Sequence, residues 1–309
     1  MLFNRNGTGS EELQQITGIF AASNNFSTVE MEIEDATRAV RLLVGQAVIT
    51  AAEGHYLASG GQSGLAAAVR TPIAILAVAR YTRGNLVSHE DSGSKVKLDS
   101  NEQMPWEWMV DRDERALQER YYRALDALYE YLNENAVPEW TGSAEYQRYR
   151  KSIVRTLGEF EAVYPVDGSY YVYYMLQNLV IECQSKLRKM IGDERWAQVS
   201  ADTMADGSAE LCQLCRRWAV LSAVVKAVRR WSLEVFPLSI ARRFCPSYQG
   251  GRSSRAATRE EMDAYVDGLE AQIEDVRAEL AELLADSNPW EGFDPQPRNN
   301  PSNKFFTAQ

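Results

Sequence analysis

Leu65-Ala66-Ala67-Ala68-Val69-Arg70-Thr71-Pro72-Ile73-Ala74-Ile75-Leu76-Ala77-Val78-Ala79-Arg80-Tyr81 is apolar nearly all round. A helix of that kind is one surrounded by other elements, so the stretch predicts the central helix of a bundle, with Pro72 either kinking it or marking its true start. Working back towards the N-terminus, the loop Ser59-Gly60-Gly61-Gln62-Ser63-Gly64 separates it from a helix ending near Ala58. Before that, Phe26-Ser27-Thr28 offers a Ser/Thr cap to a helix from Val29 to Val44. In this helix Ile33, Ala36, Val40 and Leu43 recur at helical spacing, and Gly45 can stop it. On the other side, Leu86-Val87-Ser88-His89-Glu90, a turn at Asp91-Ser92-Gly93-Ser94, and Lys95-Val96-Lys97-Leu98-Asp99 alternate with period two, which reads as a small β-hairpin. Pro105 to Leu132 then predicts an amphipathic helix with Trp108, Leu117, Tyr121, Leu125, Leu128 and Leu132 on one face, and Pro138 lies beyond its end.

The second half repeats this plan. Val40-Arg41-Leu42-Leu43-Val44-Gly45 matches Leu187-Arg188-Lys189-Met190-Ile191-Gly192, and Ile73 to Arg80 matches Ala219 to Lys226. Leu117 to Leu132 matches Leu269 to Leu284, with leucines in register at both ends. Three matches in one order at a nearly constant offset predict an internal duplication. The expected fold is mainly α: an N-terminal arm over 1–25, helical modules over 26–136 and 150–286, a linker over 137–149 around Pro138, Gly142 and Ser143, and an extended C-terminal arm over 287–309.

Composition narrows the function. The chain of 309 residues is 45% hydrophobic and 25% charged, the balance of a protein that buries cores. The opening Met1-Leu2-Phe3-Asn4-Arg5-Asn6-Gly7 lacks the apolar run of a signal peptide, and no window approaches a membrane span, which predicts a cytoplasmic setting. Cys183, Cys212, Cys215 and Cys245 are irregularly spaced, unlike a secreted disulfide framework. Cys212 and Cys215 form a CxxC with no second pair to complete a zinc site, and His55 and His89 both lie in the other half. No GxSxG, phosphate loop or GxGxxG is present, and the acidic residues cluster on the face of the last helix, so neither catalysis nor a cofactor is expected.

Two features remain. From Arg216 to Arg259 ten basic residues stand against one acid, Glu234, and the acidic last helix follows. This strip either faces that helix or, as an alternative function, contacts a nucleic-acid backbone through Arg252 and Arg255, although a net charge of -10 disfavours a whole-chain nucleic-acid binder. The tail carries Trp290, Phe293, Phe305 and Phe306 among prolines, residues suited to anchoring on another protein.

Leu2-Phe3-Asn4, Glu12-Leu13-Gln14, Phe26 and Leu43-Val44-Gly45-Gln46 together resemble a family of uncharacterised phage and prophage proteins of Bacteroidetes found among virion structural genes, most clearly from Met1 to about Leu132. The resemblance implies a non-enzymatic head-tail connector, or neck adaptor: a homo-oligomeric ring between portal and tail, in the virion, through which DNA passes without specific binding. It implies partners in portal, tail or other neck proteins and no catalytic residues. The docking elements expected on this reading are Leu2 and Phe3 of the arm, Leu86, Val87, Val96 and Leu98 of the hairpin, Arg252 and Arg255, and the four tail aromatics.

Overall fold

The computed structural model describes residues 2–61, 64–85, 88–90, 93–95, 106–201, 208–230, 242–244, 254–256 and 258–286, and it is mainly helical. Helix α1 (Gly9–Thr17) leads through a 3-10 turn (Phe26–Thr28) to α2 (Glu30–Val44), α3 (Gln46–Ser59), α4 (Gly64–Gly84) and α5 (Glu107–Glu134). Two short helices follow, α6 (Pro138–Thr141) and α7 (Ala144–Tyr149), and then α8 (Leu157–Glu161), α9 (Tyr170–Ile191), α10 (Asp193–Ser200), α11 (Ala209–Arg230) and α12 (Arg259–Asp286). Three-residue antiparallel pairs lie between helices: β1 (Ser88–Glu90) with β2 (Gly93–Lys95), and β3 (Arg242–Phe244) with β4 (Ser254–Ala256).

Helix α4 takes the central position its composition demands, with α1, α2, α3 and α5 packed around it. By length and composition alone it could cross a membrane, yet most of it is buried by this chain's own helices. Pro72 lies inside the helix, which starts eight residues earlier at Gly64. Helix α2 buries Ile33, Ala36, Val40 and Val44, a 3-4-4 spacing that keeps one stripe on α4. At Gly45 the backbone turns with φ 89° and ψ 160°, and α3 begins at the next residue. Gly192 adopts φ 84° and ψ 163° between α9 and α10, a step of the same geometry in the second half. Positive φ at these angles is strained for any residue with a Cβ.

Three boundaries differ from the sequence expectations. The Asn25 side chain, rather than Ser27 or Thr28, caps this region by accepting from the Ser27 N–H, and the resulting 3-10 turn delays α2 to Glu30. The first 25 residues are no free arm: α1 packs on α4, and Leu2, Phe3, Leu13 and Phe20 are buried. The stretch read as a linker forms α6 and α7, with Pro138 at the first helical turn, Ser143 capping α7, and Trp140 fully buried. A single cluster of buried side chains extends from Leu2 to Leu280.

Candidate functional site

Of the twelve docking residues expected from sequence, Leu2 and Phe3 have described side chains, and both belong to the chain's own core. They are therefore corrected from partner anchors to internal ones. Arg255 pairs with Arg243 in the β3–β4 ladder, and nothing is described of its side chain. Leu86, Val87, Val96, Leu98, Arg252, Trp290, Phe293, Phe305 and Phe306 lie outside the described residues.

What holds Leu2 and Phe3 is Arg70, a charged residue two turns into α4 that is nearly as buried as the apolar residues beside it. Its Nε donates to the Leu2 carbonyl at 2.7 Å, and its Nη2 pairs with the Glu12 carboxylate. The guanidinium lies over the Phe3 ring at 4.8 Å and the Tyr56 ring at 4.7 Å. Glu12 also accepts from the Tyr56 hydroxyl at 3.0 Å and the Thr8 hydroxyl at 2.8 Å. Burial, then the Glu12 carboxylate, pushes the Tyr56 phenol up to about 12, while burial lowers the Arg70 pKa against the opposing pull of Glu12. Gly61 is required beside this group, because a Cβ there would collide with the guanidinium. A cleft of about 1230 Å³ opens alongside, lined by Arg5, Glu11, Gln15, Ser59 and Gly60 among others. The arrangement spends its charge on tethering the N-terminal segment to α4.

A second clamp of the same form occurs on α11. Arg216 Nε donates to the Ile153 carbonyl at 2.9 Å, and its Nη2 pairs with Glu159 at 3.0 Å. Thr156 and Glu159 form a capping box at the start of α8, so the carboxylate is fixed from both sides. Sequence reading passed over Arg70 and placed Arg216 only at the head of the basic strip. The available signal was an arginine at matching positions of two largely apolar helices, isolated in the case of Arg70 and followed by Arg217 in the case of Arg216.

The basic strip divides. On α11, Arg217 pairs with Glu279 and Arg229 with Glu270 of α12, while Lys226 and Arg230 share Glu182 of α9. Hydrogen bonds from Arg230 and then Lys226 hold Glu182 down at about 2. Arg259 pairs with Asp263. These residues, together with Arg216, are therefore engaged by carboxylates within the chain: Arg217 and Arg229 face the acidic last helix as expected, whereas Arg216 is met by α8 and Lys226 and Arg230 by α9. This weakens the nucleic-acid alternative for the helical part of the strip.

Between the halves lies an aromatic junction. Trp140 is ringed by Tyr129, Tyr146 and Tyr174 at centroid distances of 5.6, 5.5 and 5.5 Å, and its indole N–H donates to Asn133 Oδ1 at 3.2 Å. Asp126 of α5 accepts from the Tyr171 N–H at 2.8 Å and the Ser169 hydroxyl at 2.9 Å, so one half caps the first turn of α9 in the other.

The cysteines face inward: Cys183, Cys212 and Cys215 are buried and free, and burial pushes the Cys215 thiol up to about 12. Such a thiol is a poor nucleophile and a poor metal ligand. The most conspicuous apolar surface is at the start of α5, where Trp106, Trp108 and Met109 are 67%, 55% and 42% exposed. Beside Met109 a groove of about 290 Å³ runs between α4 and α5, lined by Ala79, Thr82, Arg83, Met109, Val110, Asp113, Glu114 and Leu117.

A family of unknown function, DUF6712, has a model that matches residues 42–150, from the end of α2 through α7. No curated protein and no solved structure matches the chain.

Proposed function

We propose that this protein is a non-enzymatic structural adaptor of a phage virion, a head-tail connector subunit that assembles as a ring between portal and tail. The observation that carries the docking part is the exposure of Trp106, Trp108 and Met109, three large apolar side chains within four residues, of which Met109 also lines the groove between α4 and α5. Contiguous exposed apolar side chains of this kind suit burial against another protein, where aromatic residues supply most of the contact energy. The β1–β2 pair precedes this surface in sequence.

The adaptor is built from two copies of one module. Support comes from the order helix, glycine step, short helix, long helix, strand pair, 28-residue helix, which occurs once as α2 to α5 and again as α9 to α12. Further support comes from the twin clamps, since Glu12 and Arg70 stand to Gly45 as Glu159 and Arg216 stand to Gly192, to within one residue.

The test is assembly. Mass photometry and negative-stain microscopy of the protein, alone and mixed with a portal ring, should find symmetric rings or a portal complex. The Trp106→Ser/Trp108→Ser variant should lose them while its helical circular dichroism is unchanged. A chain that stays monomeric in both settings, or a variant that assembles like the parent, would sink the reading.

A further inference from the structure

Helix α2 carries a row of side chains that point to solvent. Met31, Asp35, Arg38 and Leu42 follow one another at steps of four, three and four residues, so they line up along the helix directly opposite the buried Ile33, Ala36, Val40 and Val44. Met31 and Leu42 are 70% and 75% exposed, among the most open large apolar side chains described. Between them Asp35 and Arg38, both exposed, pair at 3.2 Å. A single exposed leucine is ordinary on a protein surface. Here the row has an order: apolar, acid, base, apolar.

That order is complementary to its own reverse. Met31 and Leu42 stand equally far from the midpoint of the row, between Ala36 and Thr37, and so do Asp35 and Arg38. Laid antiparallel on a second α2 about that midpoint, the row sets Met31 opposite the partner's Leu42 and Asp35 opposite the partner's Arg38. A two-fold axis across such a pair also keeps like flanks together. Glu34 and Arg41 are exposed on one flank, so Glu34 comes beside the partner's Arg41. Parallel pairing would instead set acid on acid and base on base, which charge complementarity rejects.

We propose that a second copy of this chain covers the outer face of α2, in an antiparallel two-fold contact where Met31 packs on the partner's Leu42 and the two Asp35–Arg38 pairs close into a four-charge cluster. The apolar ends supply the attraction, while the charges set direction and register. One residue meets a second while the second meets the first, which is the mark of an isologous interface. A ring is closed by heterologous contacts, so this pairing is separate from the α5 surface and independent of the virion role.

Sedimentation velocity of the full chain tests it. Whatever unit it starts from, the protein should double in mass as its concentration rises, and less readily at high salt because the paired charges are exposed. Asp35→Arg and Arg38→Asp should each weaken this doubling about tenfold or more, since each brings like charges together. An equimolar mixture of the two variants should pair again, because at these two positions one chain is then wholly basic and the other wholly acidic. The Trp106→Ser/Trp108→Ser chain should double like the parent. A parent that never doubles, single variants that associate as it does, or a mixture that stays apart each overturn the proposal. Loss of doubling in the Trp106→Ser/Trp108→Ser chain also overturns it, by assigning the contact to the α5 surface.

Discussion

Replacing Arg70 by Met removes a charge while keeping an unbranched, apolar side chain to lie against Phe3 and Tyr56. The Arg70 side chain is 3% exposed and that of Glu12 17%, so their pairing is nearly dry. Removing one partner of a buried pair costs about 3–5 kcal/mol, because the other charge is left uncompensated. Glu12 keeps the Tyr56 and Thr8 hydroxyls, which favours the lower end, about 3 kcal/mol. With an unfolding entropy of about 2.1 cal/mol/K per residue over 309 residues, that corresponds to a fall in Tm of about 5 °C. The assay is a double-mutant cycle with Glu12→Gln, followed by helical circular dichroism in urea. The coupling energy should be about 2 kcal/mol, less than the single loss because Gln retains a hydrogen-bonding oxygen. A coupling below about 0.5 kcal/mol, with Arg70→Met melting like the parent, would refute the clamp as an organising contact of the first module.

Two further outcomes follow from the rest of the molecule. Trp140→Ala should cost about 3–5 kcal/mol in urea denaturation, since it empties a site closed by three tyrosines, and a loss under about 1 kcal/mol would show that the junction does not hold the halves together. Glu182 is an anion held down at about 2 against an ordinary 4.5, so the stabilisation it confers is complete above pH 4.5 and is lost as pH falls from there to about 2. The Tm gap between the parent and Lys226→Met/Arg230→Met should close over that window. A Glu182 carboxyl that titrates at its ordinary value by NMR would contradict the assignment.

The helices were legible because their signals are local. The apolar surface of α4, the Ile33, Ala36 and Val40 stripe of α2 and the stops at Gly45 and Gly192 each depend on a few neighbouring residues, although the stripe ends on Val44 and leaves Leu43, the residue expected there, half-buried. Residues 137–149 misled because Pro138, Gly142 and Ser143 are loop formers on average, while at the first turn or the cap position Pro and Ser start helices. Trp140 was the corrective signal, since a loop rarely carries a large aromatic that has no site to fill. The clamps were missed for a different reason. Arg70 meets Leu2 and Arg216 meets Ile153 across more than sixty residues each, and no local pattern specifies such a partner. Burial of Leu2 and Phe3 follows from the same distant contact, which is why an arm was expected where a tethered segment is found.

The aromatic junction gives the molecule an optical property. With Tyr129, Tyr146 and Tyr174 in contact with the Trp140 indole, ultraviolet excitation absorbed by those phenols passes to the indole before it can be emitted. Tyr174 belongs to α9, so transfer from that ring requires a helix of the second half to be in place. Loss of the Tyr174-to-Trp140 transfer during unfolding then accompanies the departure of α9 from the junction.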